Sequence, residues 1–472
     1  MSKDPLPVRL DEAGRSLALG GGALYAQAFF VLWSVAHLAH ALRKEPFNDA
    51  FSWLNVLACV LLLLRPGSAA RLAGLCVAQI ALFVDRMPIT DNHLYIMAFV
   101  NAGLLVVALP LALRRQAWSP ATFGVARTYV AVVFLGSYAA AALSKLNPDF
   151  LFSEASCALS MLDDAGRAVG LDRTALPASM ADAVPLLVAG TEMAIPLLLA
   201  LRRTRAVGIG VTVAFHLAIS LSPTATAIDF TVAIAAVLFL FLPPSDRLGA
   251  DLEALRRSVE RVVGRLDRGA VGAGLLFGVM VVYQWRLGTV AGNRGWALLA
   301  ITAVGLGAAL VAAVVRDRGT AERAALSPRR LRPAHVALLG LALLNVAAPY
   351  LGWKTAGTYT MYSNLDTFEA TSNHYLFPRL NPGTFQDDLV EILDTSNERL
   401  DRVRERGDRI TWHELRRVLA RDPEARIAYR RGGERIDHAR AADDPALVTR
   451  DPVLHKLLGH RAQAAPPGRC LW

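Results

Sequence analysis

Of the 50 basic residues in this chain, only Lys3, Lys44, Lys145, Lys354 and Lys456 are lysine. Where a positive charge alone is wanted, the sequence supplies arginine. Lys145 breaks that habit, because it follows the apolar run Val130 to Ser144 at the end of what reads as a membrane span. Arginine does not give up its proton at useful pH, whereas a lysine taken out of water can, and its neutral amine is then a base. The competing reading is an interfacial lysine that snorkels to headgroups.

Two histidines and one carboxylate sit in comparable places. His93, preceded by Asp91 and Asn92, opens another apolar run near the same face as Lys145, and His216 lies inside a further run between Phe215 and Leu217. Imidazole can orient a phenolic hydroxyl or relay its proton. His37 and His40, in the first apolar run, read as packing histidines. Glu192, in Thr191 to Pro196, is well inside a span and must face a cavity or a partner, for which His216 of the next span is a candidate. Asp229 sits at a span end, where solvation is cheap, and carries less weight. No HExxH or carboxylate spacing makes a metal site. Cys59, Cys76, Cys157 and Cys470 are scattered without a CxxC, so a disulfide framework is not expected either.

The elements that must position these residues follow from composition. The 472 residues are 54% hydrophobic and 19% charged, with a mean hydropathy of +0.36, against about 25% charged in soluble domains. A water-soluble globule is excluded. Eleven apolar runs with at most one charged residue approach span length: 17–42, 51–64, 72–84, 93–113, 125–143, 184–201, 206–221, 228–242, 271–285, 296–315 and 335–353. Several are short, so the expectation is an all-α polytopic membrane bundle of nine to eleven spans with a small C-terminal α+β extramembrane domain. The first run is too long for a cleavable signal peptide and no clear small-residue cleavage site closes it.

The net charge is +10, yet the tail from Lys354 carries 19 basic and 18 acidic residues, leaving +9 in the apolar part. Spread through short loops, that excess reads as positive-inside topology and contact with a lipid bilayer, not as the concentrated basic face of a nucleic-acid partner. With Lys3, Arg9 and Arg15 inside, the inner loops carry Arg65 and Arg71, Arg114 and Arg115, then Arg202, Arg203 and Arg205. The segment 147–182 is acidic and outer. An odd number of spans then makes the N-terminus cytoplasmic and the tail extracytoplasmic, in a plasma or inner membrane. The domains expected are 1–245 and 246–353 in the membrane and 354–472 outside. In the tail, Asp388 to Leu393 alternates like a strand, Thr411 with Glu414 reads as a capping box, and Arg426 to Ile436 reads as a hairpin around Gly432 and Gly433.

At the residues singled out, the chain resembles the horizontally transferred transmembrane (HTTM) domain family, which is related to vitamin K-dependent gamma-carboxylase. The matching pieces occur in family order over roughly residues 15–245: Asn92 and His93 ahead of Leu94 and Tyr95; Ser144 to Phe150; Glu192 to Pro196; and Phe215 with His216. The tail segments Met361 to Leu365 and Ser372 to His374 look like uncharacterised HTTM-like proteins rather than the carboxylase's peptide-binding domain. The resemblance implies a reduced naphthoquinone of the vitamin K or menaquinol type as cofactor, with dioxygen and, for a carboxylation, carbon dioxide. Lys145 would be the base, Asn92, His93 and His216 would hold the quinol oxygens with Glu192 nearby, and the oxygenated product would take an otherwise inert proton from a peptide or small-molecule acceptor. Two other functions fit the same scaffold: a transporter or lipid-binding protein with Glu192 and His216 lining a path, and an anchor whose tail docks a partner.

Overall fold

The computed structural model describes residues 12–44, 49–168, 170, 177–220, 228–242, 245–263, 304–305, 307–313, 315–316, 326, 328–369, 371–381, 384–464 and 469–470. In order, the helices of the apolar part are α1 (Glu12–Lys44), α2 (Ala50–Leu64), α3 (Ala69–Arg86), α4 (Asn92–Leu113), α5 (Pro120–Leu143), α6 (Pro148–Leu151), α7 (Cys157–Ala168), α8 (Ala178–Ala200), α9 (Arg205–Ile219), α10 (Ile228–Phe239), α11 (Asp246–Val263) and α12 (Pro333–Ala347). Three of them, α4, α5 and α8, are long and apolar enough to cross a membrane, which marks a membrane protein. The helices α2, α9, α10 and α12 are apolar but shorter. The run expected at 271–285 and half of that at 296–315 lie outside the described residues.

The outer faces suit lipid. Leu54, Leu57 and Leu61 on α2, and Leu186, Leu187 and Leu197 on α8, are exposed apolar side chains that water would not reward. Inside, α3 packs on α4, α5 on α4 and α8, and α1 on α2 and α10. Gly103 is what lets α4 approach α5, since a Cβ there would lie 1.9 Å from the Tyr129 ring. Backbone groups left over at helix ends are satisfied by buried side chains. The Tyr25 hydroxyl donates to the carbonyls of Phe239 and Leu242 at 2.8 and 2.9 Å, and Arg127 Nε to that of Leu240 at 2.6 Å. Pro110 inside α4 leaves the Val106 carbonyl without its helical donor, and Arg332 Nη1 supplies one at 3.0 Å.

The tail holds a four-stranded antiparallel sheet of order β2-β1-β3-β4, built from β1 (Leu389–Thr395), β2 (Arg409–Thr411), β3 (Ile427–Arg431) and β4 (Glu434–His438). The expected strand and hairpin are both present, with Gly432 and Gly433 at φ of 57° and 87° where a side chain would be strained. Thr411 does cap α14 (Trp412–Leu419; α13 is Glu398–Glu405), accepting from the Glu414 amide at 3.1 Å. The Glu414 carboxylate does not complete the box. It accepts instead from Arg417 Nε at 2.8 Å and Arg399 Nη2 at 2.6 Å.

Ahead of the sheet, residues 354–369 and 371–377 lie as an irregular strap against the helical part. Asn147 Nδ2 donates to the Ser363 carbonyl at 2.7 Å, Asn345 Nδ2 to that of Gly357 at 2.7 Å, and the Tyr375 amide to that of Leu146 at 3.0 Å. The cysteine reading needs correcting here. Cys157 and Cys470 form a disulfide with a Cα–Cα distance of 4.9 Å. Their separation of 313 residues is the reason that spacing carried no signal.

Candidate functional site

The N-terminal parts of α4, α8 and α10 and the C-terminal ends of α5 and α9, with α6, α7 and the strap, surround one cavity of about 260 Å³. Helical periodicity brings one face of each helix to it. On α5 and the turn after it, Tyr138, Ala141 and Lys145 are spaced i, i+3 and i+7; on α8, Val184, Val188 and Glu192 are spaced i, i+4 and i+8. Asn92, His93, Lys145, Glu192 and His216, the five residues singled out in the sequence, all line it. Aromatic and aliphatic side chains, among them Phe150, Phe215, Phe230 and Ile96, make the rest of the wall with Tyr359, Met361 and Tyr362 of the strap.

Lys145 is 3% exposed, a buried position rather than that of an interfacial lysine that snorkels to headgroups. Its Nζ lies 2.7 Å from Glu192 Oε2 and donates to the Met361 carbonyl at 3.1 Å. Glu192 therefore pairs with Lys145, not with His216. Pro196, four residues on, removes the amide that would otherwise bond the Glu192 carbonyl. His216 Nε2 is instead hydrogen-bonded to the Tyr138 hydroxyl. Tyr138 was legible only as a residue seven positions before Lys145, which is the same helical face.

Asn92 and His93 are held from opposite sides. The Tyr359 amide donates to Asn92 Oδ1 at 3.3 Å, and the Phe230 ring stacks on His93 with centroids 5.4 Å apart. Behind His93, its Nε2 lies 3.2 Å from Asp229 Oδ2 and 3.2 Å from His40 Nδ1, and His40 Nδ1 lies 2.8 Å from Asp229 Oδ2. Two readings fail at this point. His40 is not a mere packing residue, and Asp229 is 1% exposed rather than solvated. His37 does pack, its Nε2 meeting Asn101 Nδ2 at 3.2 Å. Asp91 joins His40 and His93 in a group whose ligand atoms all lie within 4.8 Å of one another, a grouping that no sequence spacing announced.

What remains for a ligand is specific. The Nδ1 atoms of His93 and His216 are buried and have no hydrogen-bond partner among the described residues. Each belongs to a histidine that lines the cavity. An apolar cavity of about 150 Å³ holds benzene, so this one admits a larger ring system.

Comparison of the chain with protein-family models, curated proteins and solved structures finds no match in any of the three.

Proposed function

We propose that the chain is a membrane-embedded, quinol-dependent enzyme of the gamma-carboxylase type, with its strap and sheet domain on the extracytoplasmic side of about eleven spans. The observation that carries this reading is the convergence of Asn92, His93, Lys145 and His216, from three different segments, on one apolar cavity. A plain anchor has no need of it. The two unpartnered imidazole nitrogens fit the two oxygens of a reduced naphthoquinone, and Phe150 and Phe230 fit its rings. The disulfide supports an oxidising side for the tail, because such bonds persist outside the cytoplasm.

The quinol supplies, once oxygenated, a base strong enough for an otherwise inert C–H bond. The residues bind and deprotonate it. Lys145 and Glu192 would act as a pair: with a proton passed from Nζ to the carboxylate, the neutral amine would be placed to take the hydroxyl proton of a bound quinol. His93, His216 and Asn92 hold the oxygens in place. The apolar wall and the strap keep water from quenching the product.

The test is anaerobic incubation of the purified protein with reduced menaquinone, followed by oxygen and mass analysis for the quinone epoxide. Epoxide formed in proportion to enzyme is the expected result. Reduced menaquinone that neither binds nor reacts would overturn the reading and leave transport as the better use of the cavity.

A further inference from the structure

We propose that His40, His93 and Asp229, completed by Asp91, bind one divalent first-row transition-metal ion behind the cavity. The geometry is a triangle. His40 Nδ1, His93 Nε2 and Asp229 Oδ2 are separated by 2.8, 3.2 and 3.2 Å. Nitrogen and oxygen ligands about 2.0–2.2 Å from a metal stand roughly 2.8–3.6 Å from one another, whether the angle between them is octahedral or tetrahedral. The three atoms come from α1, α4 and α10, and His40, His93 and Asp229 are 2%, 2% and 1% exposed.

Protons alone serve this triangle poorly. With the carboxylate ionised, a proton on both ring nitrogens satisfies the two edges to Asp229 and leaves two N–H groups facing each other across the third. A proton on one nitrogen leaves the other facing the carboxylate as acceptor against acceptor. A single cation takes all three lone pairs at once, and the two carboxylates balance its charge. Two imidazoles and a carboxylate on one face is a donor set for iron(II), and with Asp91 as a fourth ligand it equally suits zinc.

The metal has a consequence that rests on the quinol reading. A histidine that ligates through Nε2 keeps its proton on Nδ1. His93 would thereby present a fixed donor at the nitrogen that has no protein partner.

The experiment uses the full chain purified in detergent without chelator and without a polyhistidine tag. Elemental analysis should give about one zinc or iron per chain, and which element is found distinguishes the two. His40→Gln and Asp229→Asn should lower that content at least about tenfold, while His37→Gln, which alters a buried histidine outside the triangle, should keep it. Because the variants can misfold, the deciding measurement is on the unaltered protein: stripped of metal and titrated with Co²⁺, it should develop visible ligand-field bands that saturate at about one equivalent. No metal as purified together with no bands overturns the proposal. Neither measurement involves quinone, so metal without epoxide formation would sink the enzyme reading alone, and epoxide formation by a metal-free protein would sink this one alone.

Discussion

Lys145 Nζ stands 2.7 Å from Glu192 Oε2, with the two side chains 4% and 13% exposed, so the lysine and the carboxylate of the cavity are one buried ion pair. Two charges taken out of water tolerate each other far better than either tolerates being left alone. The relationship changes what a substitution at Lys145 can be expected to do, since each residue now holds the other in place as well as facing the chamber.

Lys145→Arg separates base from charge. Arginine keeps the positive end that Glu192 needs, so the protein should insert and stay monodisperse with a near-normal melting temperature. It lacks a neutral form at working pH, so epoxide formation should fall about 10²–10⁴-fold, the range a general base contributes. Matched amounts of the two proteins in the quinol assay give the comparison. Full activity in the arginine variant would end the base role and leave the pair as a structural tie.

Lys145→Met should destabilise more than Lys145→Arg, by about 3–5 kcal/mol, because Glu192 is then a buried charge without a counter-ion. Adding Glu192→Leu removes that charge. The double variant should recover most of the lost stability and none of the activity. Thermal unfolding of the four proteins in one detergent reads this directly. A double variant as unstable as the single one would mean that Glu192 does not bear on Lys145.

What could be read from the sequence was local or compositional. The hairpin around Gly432 and Gly433 was legible because the turn and its two strands are contiguous. Lys145, His93 and His216 stood out because an ionisable group in an apolar run has to be accounted for wherever it goes. The partners were another matter. Glu192 was assigned to His216 on the ground that their spans are consecutive; α8 does pack on α9, but it packs on α5 as well, and the carboxylate meets Lys145 at the end of α5. Asp229 looked solvated because it begins a short helix, whereas the packing of α1 on α10 and the His93 side chain reaching it from α4 bury it. Cys157 and Cys470 meet because the strap and the sheet domain carry the C-terminal end back to α7, a path that no spacing rule encodes.

Gly357 is the narrowest point of the strap. Its φ is +69°, and a Cβ would lie 2.0 Å from the Tyr95 ring, so neither backbone nor space accommodates a side chain. Gly357→Ala should lift the strap from α4, loosen the wall formed by Tyr359 and Met361, and speed limited proteolysis between 354 and 377 several-fold. Tyr95→Ala combined with Gly357→Ala should restore part of the protection by making room. Unchanged proteolysis in the single variant would show that the strap is not held there.

The last expectation concerns acid and the sheet domain. His413 has ring centroids 5.1 Å from His455 and 5.7 Å from His460, and the Lys354, Arg379, Arg416 and Arg417 cations act on this group. Burial, reinforced by those charges, pushes His460 down to about 3 and lowers His413 and His455 as well. His460 is therefore neutral in the folded tail at pH values where the unfolded chain would bind a proton there, and the other two shift in the same direction. Stability is fully present above the unfolded value of about 6.5 and is lost as pH falls from there toward 3. For His460 alone the loss between pH 7 and pH 5 is about 2 kcal/mol. Hydrogen exchange of the β1 and β3 amides should accelerate over that interval, beyond the change in intrinsic rate, and β3 of a His460→Asn variant should show a shallower dependence. Lys354→Met should soften it less, since that charge acts on His460 only after burial and His413. Exchange that is flat from pH 7 to pH 5 would mean that these imidazoles reach water in the folded protein and that the three rings do not pack as a buried group.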